Sequence, residues 1–288
     1  MASVWEMLQR DPVYTPVIGA VRALFKAQGT RFKITGAHHV PRQGSAVMMI
    51  NHTGYFDFMY AGYAALPAGR LVRFMAKESI FGNAVAGPLM RGMRHISVDR
   101  SAGAGAYADA LRALRAGEII GIFPEATISM SFEPKAFKSG AVRMAQETGA
   151  PILPVAIWGS QRVWTKALPR RLGRHHVPVG ITVGPPVHVG PQDDVVEVTA
   201  RIRETMIAML HELQEAYPAW PDEERRLLPR RLGGTAPSPE EAARLEAELR
   251  AKGVVTTDPV AVDPVPGAPA VGDPRGTRPA GTGGRHRS

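Results

Sequence analysis

The stretch Asn51-His52-Thr53-Gly54-Tyr55-Phe56-Asp57 sets an imidazole five positions before a carboxylate, and Phe123-Pro124-Glu125-Ala126-Thr127-Ile128-Ser129 brings a second acidic turn downstream. An aspartate that accepts a hydrogen bond from one imidazole nitrogen fixes the tautomer and leaves the other nitrogen to take a proton. That is the arrangement of a general base. The chain contains no cysteine, which excludes thiolate nucleophiles, disulfides and thiolate metal sites. Ser139, in Lys138-Ser139-Gly140-Ala141, lacks the GxSxG elbow of serine hydrolases, so a covalent serine intermediate is disfavoured. A base-catalysed direct transfer remains.

On a regular helix, residues five apart stand roughly 140° from each other, so His52 and Asp57 can pair only across a turn. Gly54 is expected to permit that turn through backbone angles closed to other residues. The apolar run 46–50 reads as a buried strand entering the block and 58–65 as a helix leaving it, which puts His52 at a strand's carboxyl end. Ligands and catalytic groups gather at that rim of open α/β sheets. A plainer alternative makes Asp57 a helix N-terminal residue favoured by the dipole and His52 an ordinary turn residue.

The first block resembles the NHxxxxD motif of the glycerolipid acyltransferases related to 1-acylglycerol-3-phosphate acyltransferase. Met93-Arg94-His95-Ile96-Ser97-Val98-Asp99-Arg100 is similar to that family's second block, and Phe123 to Ser129 to its third, usually FPEGTRS. Ile152-Leu153-Pro154-Val155-Ala156-Ile157 is similar to the fourth. All four stand in the family's order. The resemblance implies a mixed sheet covered by helices, His52 as base and Asp57 as its orienting partner. It implies further that Arg100 serves the acceptor phosphate and that Glu125, Ala126 and Thr127 line the same pocket. The donor it implies is acyl-CoA or acyl carrier protein, the acceptor a lysophospholipid, above all 1-acyl-sn-glycerol 3-phosphate, with no cofactor.

Three positions depart from the pattern: Ala126 and Arg94 replace glycine, and Ile128 replaces arginine. Loss of that arginine removes a planar five-donor fork suited to phosphate. Lys77, Arg94 and Lys138 are candidates for the missing charge, and another lysophospholipid or a hydroxylated polar lipid stays open as acceptor. Arg100 as a surface ion pair, Glu125 as a loop residue and Thr127 as a turn or cap residue are the structural alternatives. A non-catalytic lipid-binding module on the same fold is the alternative from another class; retention of His52 and Asp57 argues against it.

Around these blocks, strands are expected at 31–35, 46–50, 71–77, 95–98, 119–123, 152–158 and 179–183. Helices are expected at 13–25, 58–65, 83–90, 102–115, 139–148 and 193–216, the last with Val196, Ile202, Met206, Met209 and Leu213 on one apolar face. The fold class is α/β, a mixed, mostly parallel sheet flanked by helices. Its division is an amino-terminal membrane-associating amphipathic region at 1–30, an acyltransferase domain at 31–232, a short charged helix at 233–252 and a disordered tail at 253–288. Ser238-Pro239-Glu240-Glu241 is a capping box that should open the short helix. Pro154 is expected to shape a buried strand end.

Lys and Arg exceed Asp and Glu, 35 to 26, in 288 residues. Such an excess suits nucleic acid, anionic headgroups or a phosphorylated substrate. No nucleic-acid-binding signature accompanies it. Arg162, Lys166, Arg170, Arg171 and Arg174 cluster with Trp158 and Trp164, as on a membrane-apposed surface or a solvated loop. The apolar stretch at 13–25 would reach about 20 Å, short of a hydrocarbon core of about 30 Å. It can lie on a bilayer, and the expected location is the cytoplasmic side of the cell membrane. No signal peptide is visible. Adjacent histidines, His38-His39 and His175-His176, would point to opposite faces of a strand, so a metal site is not expected. Arg285, His286 and Arg287 read as solvated tail or as an anionic-lipid contact.

Overall fold

The central feature is a strand with no exposed side: all five residues of β2 (Ala46–Ile50) have 0% accessibility. Side chains alternate across a strand. Met48 and Ile50 therefore enter one apolar layer while Val47 and Met49 enter the other. A strand buried on both faces needs helices above and below it, and the chain supplies them.

The computed structural model describes residues 11–99 and 104–251. They form a seven-stranded sheet in the order β1-β7-β6-β2-β5-β3-β4, where β1 is Arg31–Thr35, β3 Val72–Lys77, β4 Ile96–Val98, β5 Ile119–Ile122, β6 Ile152–Trp158 and β7 Pro178–Val183. Every pairing is parallel except β6 with β7. The first layer is covered by α1 (Tyr14–Gln28), through Phe25, and by α2 (Asp57–Ala65), through Tyr60, Ala61 and Ala64. Beyond β3 follow two short helices, α3 (Glu78–Phe81) and α4 (Ala86–Gly92). The second layer is covered by α5 (Ala104–Arg115), α6 (Gly140–Thr148) and α7 (Val195–Glu215). The last described helix is α8 (Pro239–Ala251).

The expected α/β class and the mostly parallel sheet are present. The helix expected at 83–90 is present as α4, starting three residues later, where Asn83 accepts from the Val85 and Ala86 amides, and a further short helix, α3, precedes it. Pro154 lies within β6 and not at its end. Its carbonyl accepts from Gly184 at 2.8 Å, so its missing donor falls on the side where β7 has already stopped. The capping box closes as expected: Ser238 Oγ accepts from the Glu241 amide at 3.2 Å and Glu241 accepts from the Ser238 amide at 2.9 Å. The tail from 253, with Arg285, His286 and Arg287, lies outside the described residues.

Val196 corrects the reading of α7, being 71% exposed. Six residues before Ile202, it stands about 120° round the helix, while Val198, four before, stands about 40° away and is buried. Asp194 caps the helix, accepting from the amides of Val196 and Glu197 at 2.7 and 3.0 Å. Urea denaturation should separate the two positions. Ile202→Ala is expected to cost about 2–5 kcal/mol through the cavity it leaves, and Val196→Ala to stay within about 0.5 kcal/mol of wild type.

Candidate active site

Three neighbouring strands, β6, β2 and β5, end at the same rim, and the segments that follow them interlock. After β2, Asn51 turns its amide sideways as a backbone would: it donates to the Ile157 carbonyl at 3.0 Å and accepts from the Ile157 amide at 2.7 Å. This fastens the end of β2 to β6. The chain then loops through 52–56 and enters α2 at Asp57, whose position in the first turn is favourable for a carboxylate.

Asp57 is completely buried and fully partnered. Its Oδ2 accepts from His52 Nδ1 at 3.0 Å, from the Thr53 amide at 2.7 Å and from the Gly54 amide at 2.8 Å. Its Oδ1 accepts from the hydroxyl of Ser160, which stands just beyond β6. With Nδ1–H engaged by the carboxylate, His52 carries its lone pair on Nε2. The ring stacks on Phe123 with centroids 4.1 Å apart, and its side chain keeps 18% exposure. The pair thus has both contact and access.

Gly54 serves a different purpose from the one expected. Its φ is not positive; instead, a Cβ there would lie 2.6 Å from Ser160 Oγ and 3.0 Å from the Trp164 carbonyl. Close approach of two segments, and not an unusual backbone angle, excludes larger residues. Thr165 adds another tie by donating to the Thr53 carbonyl at 2.7 Å.

From the other side, Glu125 follows β5 and is buried. It accepts the His52 amide at 2.9 Å on one oxygen and the Lys135 amide at 3.1 Å on the other. Both oxygens are directed at backbone. Burial pushes its carboxyl up to about 7, against the pull of those two amides and of the Lys135 charge. Next to it Ala126 holds φ of 64°, the left-handed region where glycine is at ease. Thr127 receives the Lys135 ammonium on its hydroxyl, and Ile128 is buried.

The other expected residues lie farther out. Lys77 ends β3 on the same rim and borders a cavity of ≈ 1350 Å³ along the open edge at β4, whose lining does not include His52. Lys138 is exposed and joins the site only through its amide, which donates to the Pro124 carbonyl at 3.0 Å. Arg94 is drawn to the opposite end of the strands, where it pairs with Asp11 at 2.6 Å and Glu118 at 3.4 Å. Arg100 lies outside the described residues.

The basic and aromatic cluster also resolves differently. Trp158 is fully buried, Lys166 is 5% exposed, and Arg162 and Arg171 pair with Glu224. Arg170, over the Trp164 ring at 5.9 Å, Arg174 and the exposed part of Arg171 are what remains at the surface. His38 and His39 occupy a 3₁₀ turn, not a strand, with rings 4.1 Å apart. Among the described residues no group of three potential metal ligands occurs, and no helix is long and apolar enough to cross a membrane.

A family model described as Acyltransferase matches residues 31–158, which spans β1 to β6 and every tie just described up to Ile157. Over that span the chain is similar to the acyltransferase family. Over 188 residues it is 28% identical to 1-acyl-sn-glycerol-3-phosphate acyltransferase of Borreliella burgdorferi, covering 64% of this chain and 70% of that one. Over 148 residues it is 29% identical to the Bacillus subtilis protein of the same name, covering 51% and 72%. In fold it is similar to the crystal structure of the 1-acyl-sn-glycerophosphate acyltransferase PlsC from Thermotoga maritima, with a TM-score of 0.55 and 20% identity over 69% of this chain and 81% of that one. This is an acyltransferase-like enzyme of lipid metabolism.

Sequence reading did not find Ser160 or Lys135, and it gave Asn51, the first residue of the first block, no role of its own. The only trace of Ser160 is a Gly-Ser pair directly after a strongly apolar strand. Because its carboxyl is raised, folded Glu125 retains a proton that the unfolded chain releases between about 4.5 and about 7. Its contribution to stability is therefore full below that window and lost as pH rises through it. Urea denaturation of Glu125→Gln at about pH 5 and about pH 8 should show this slope abolished, together with a loss of about 1–3 kcal/mol from the backbone amide left without an acceptor.

Proposed function

We propose that this enzyme transfers a fatty acyl group from acyl-CoA or acyl carrier protein to 1-acyl-sn-glycerol 3-phosphate at the cytoplasmic surface of a membrane. The observation that carries the reading is the 3.0 Å contact between His52 Nδ1 and Asp57, at a rim open enough to admit a lipid hydroxyl. His52 Nε2 takes the hydroxyl proton as the acceptor oxygen attacks the thioester carbonyl, and Asp57 holds the resulting imidazolium. Collapse of the tetrahedral intermediate breaks the carbon–sulfur bond, and the departing thiolate recovers the proton from His52. No covalent intermediate with the protein is needed.

Membrane contact is supported by an apolar surface near the first turn of α1. Val85 is 75% and Leu89 41% exposed around α4, and the end of α4 meets α1, a Cβ on Gly92 falling 2.9 Å from Val13. The amino-terminal region as a membrane-associating segment belongs to the same proposal. A second acceptor, another lysophospholipid or a hydroxylated polar lipid, is favoured by one observation. Ile128, at the position of the family's third-block arginine, is buried and presents no cation.

The experiment is thioester release by purified protein over a panel of lysolipids. His52→Ala is expected to reduce turnover by about 10²- to 10⁴-fold with an unchanged circular dichroism spectrum. Wild-type turnover by that variant would end the proposal. In the same assay Arg100→Ala should raise KM for the phosphorylated acceptor and leave KM for the thioester near its wild-type value; equal rises would remove Arg100 from the acceptor pocket.

A further inference from the structure

The helix α8 is attached to the domain in an unusual way. Of its described side chains only Ala242 and Glu246 are buried, while Leu245 is 38% exposed. The centre of its inward face is a carboxylate, where an amphipathic helix would ordinarily place an apolar residue. Glu246 reaches Lys135 Nζ at 3.1 and 3.2 Å and Lys166 Nζ at 3.4 Å, and Lys135 also donates to the Thr127 hydroxyl.

Those cations adjoin the catalytic loop. The Lys135 amide donates to Glu125, whose other oxygen holds the His52 amide, and Lys166 follows Thr165, which donates to the Thr53 carbonyl. We infer that Lys135, Lys166 and Thr127 form a seat for a phosphate monoester, and that Glu246 is its internal occupant, displaced when substrate binds. Two ammonium groups converge on this one carboxylate, and a dianionic phosphate in its place would offer them more charge and more acceptor oxygens.

Displacement is feasible because little apolar surface holds α8 down. A groove of ≈ 570 Å³ alongside its first turns already reaches Lys135, between Pro239, Ala243 and Arg203. The seat supplies near Thr127 the charge that Ile128 cannot. The chemical identity of the ligand rests on the acyl-transfer reading, whereas the seat rests on the lysines themselves. Both the acceptor headgroup and the nucleotide of acyl-CoA carry a phosphate monoester.

Calorimetric titration of the full chain with glycerol 3-phosphate, and separately with adenosine 3′,5′-bisphosphate, tests the seat and separates the two sources. Glu246→Gln is expected to bind one of them about tenfold more tightly than wild type, a gain of about 1.4 kcal/mol. The glycerol compound as the tighter ligand assigns the seat to the acceptor, the nucleotide to the donor. Adding Lys166→Met to Glu246→Gln is expected to erase the gain. No gain with either probe, or a gain that survives Lys166→Met, overturns the inference. If Glu246→Gln does not fold, Lys166→Met alone is expected to weaken binding about tenfold, and unchanged binding overturns it. Thioester release by the wild type bears only on the acyl-transfer reading, so the two proposals fail separately.

Discussion

A fully buried carboxylate is tolerated only if its oxygens are satisfied, and the arrangement of the rim follows from meeting that demand at Asp57. Two backbone amides, one imidazole and one hydroxyl converge on it. The amides are available because the chain turns between β2 and α2. The hydroxyl is available because β6, the neighbour of β2, delivers Ser160 at the same height. The imidazole is oriented by the same convergence. In the acyl-transfer reading this means that the base is positioned by the interactions that close the loop, so loosening the loop and misaligning the base are one event.

The loop has to be held from both flanks, since β2 is bonded to β6 on one side and β5 on the other. Asn51 and Thr165 secure the β6 flank, and Glu125 secures the β5 flank through the His52 amide. Burial of Glu125 has an energetic consequence: the anion best suited to two amide donors is also the form that burial disfavours. Its proton therefore leaves nearer neutrality than an ordinary glutamate's. A carboxyl in this state makes the β5 flank sensitive to pH.

What could be read from the sequence was what is local. The strands and most helices follow from apolar periodicity, the cap of α8 from Ser238 and Glu241, and the pairing of His52 with Asp57 from five residues around one turn. What could not be read depends on which segments meet. Ser160 is 103 residues from Asp57, and nothing in its own neighbourhood marks it. Trp158 and Lys166 look like surface residues until β6 is placed inside the sheet and α8 over the loop that follows. Val196 failed for a geometric reason: an approximate count of helical spacing left it a third of a turn from the face it was assigned to.

The two positions where this chain replaces the family's glycines show what was kept and what changed. Ala126 and Arg94 both retain positive φ, at 64° and 58°. A side chain in that region costs about 1–2 kcal/mol, yet the backbone has not relaxed into a cheaper conformation. At Ala126 the reason lies in its neighbours: Glu125 must face two amides and Thr127 must face Lys135, so the peptide between them is fixed from both ends. At Arg94 the side chain offsets the strain by pairing with Asp11 and Glu118. The backbone at Ala126 is thus held in a strained region by its neighbours, while position 128 carries a buried isoleucine.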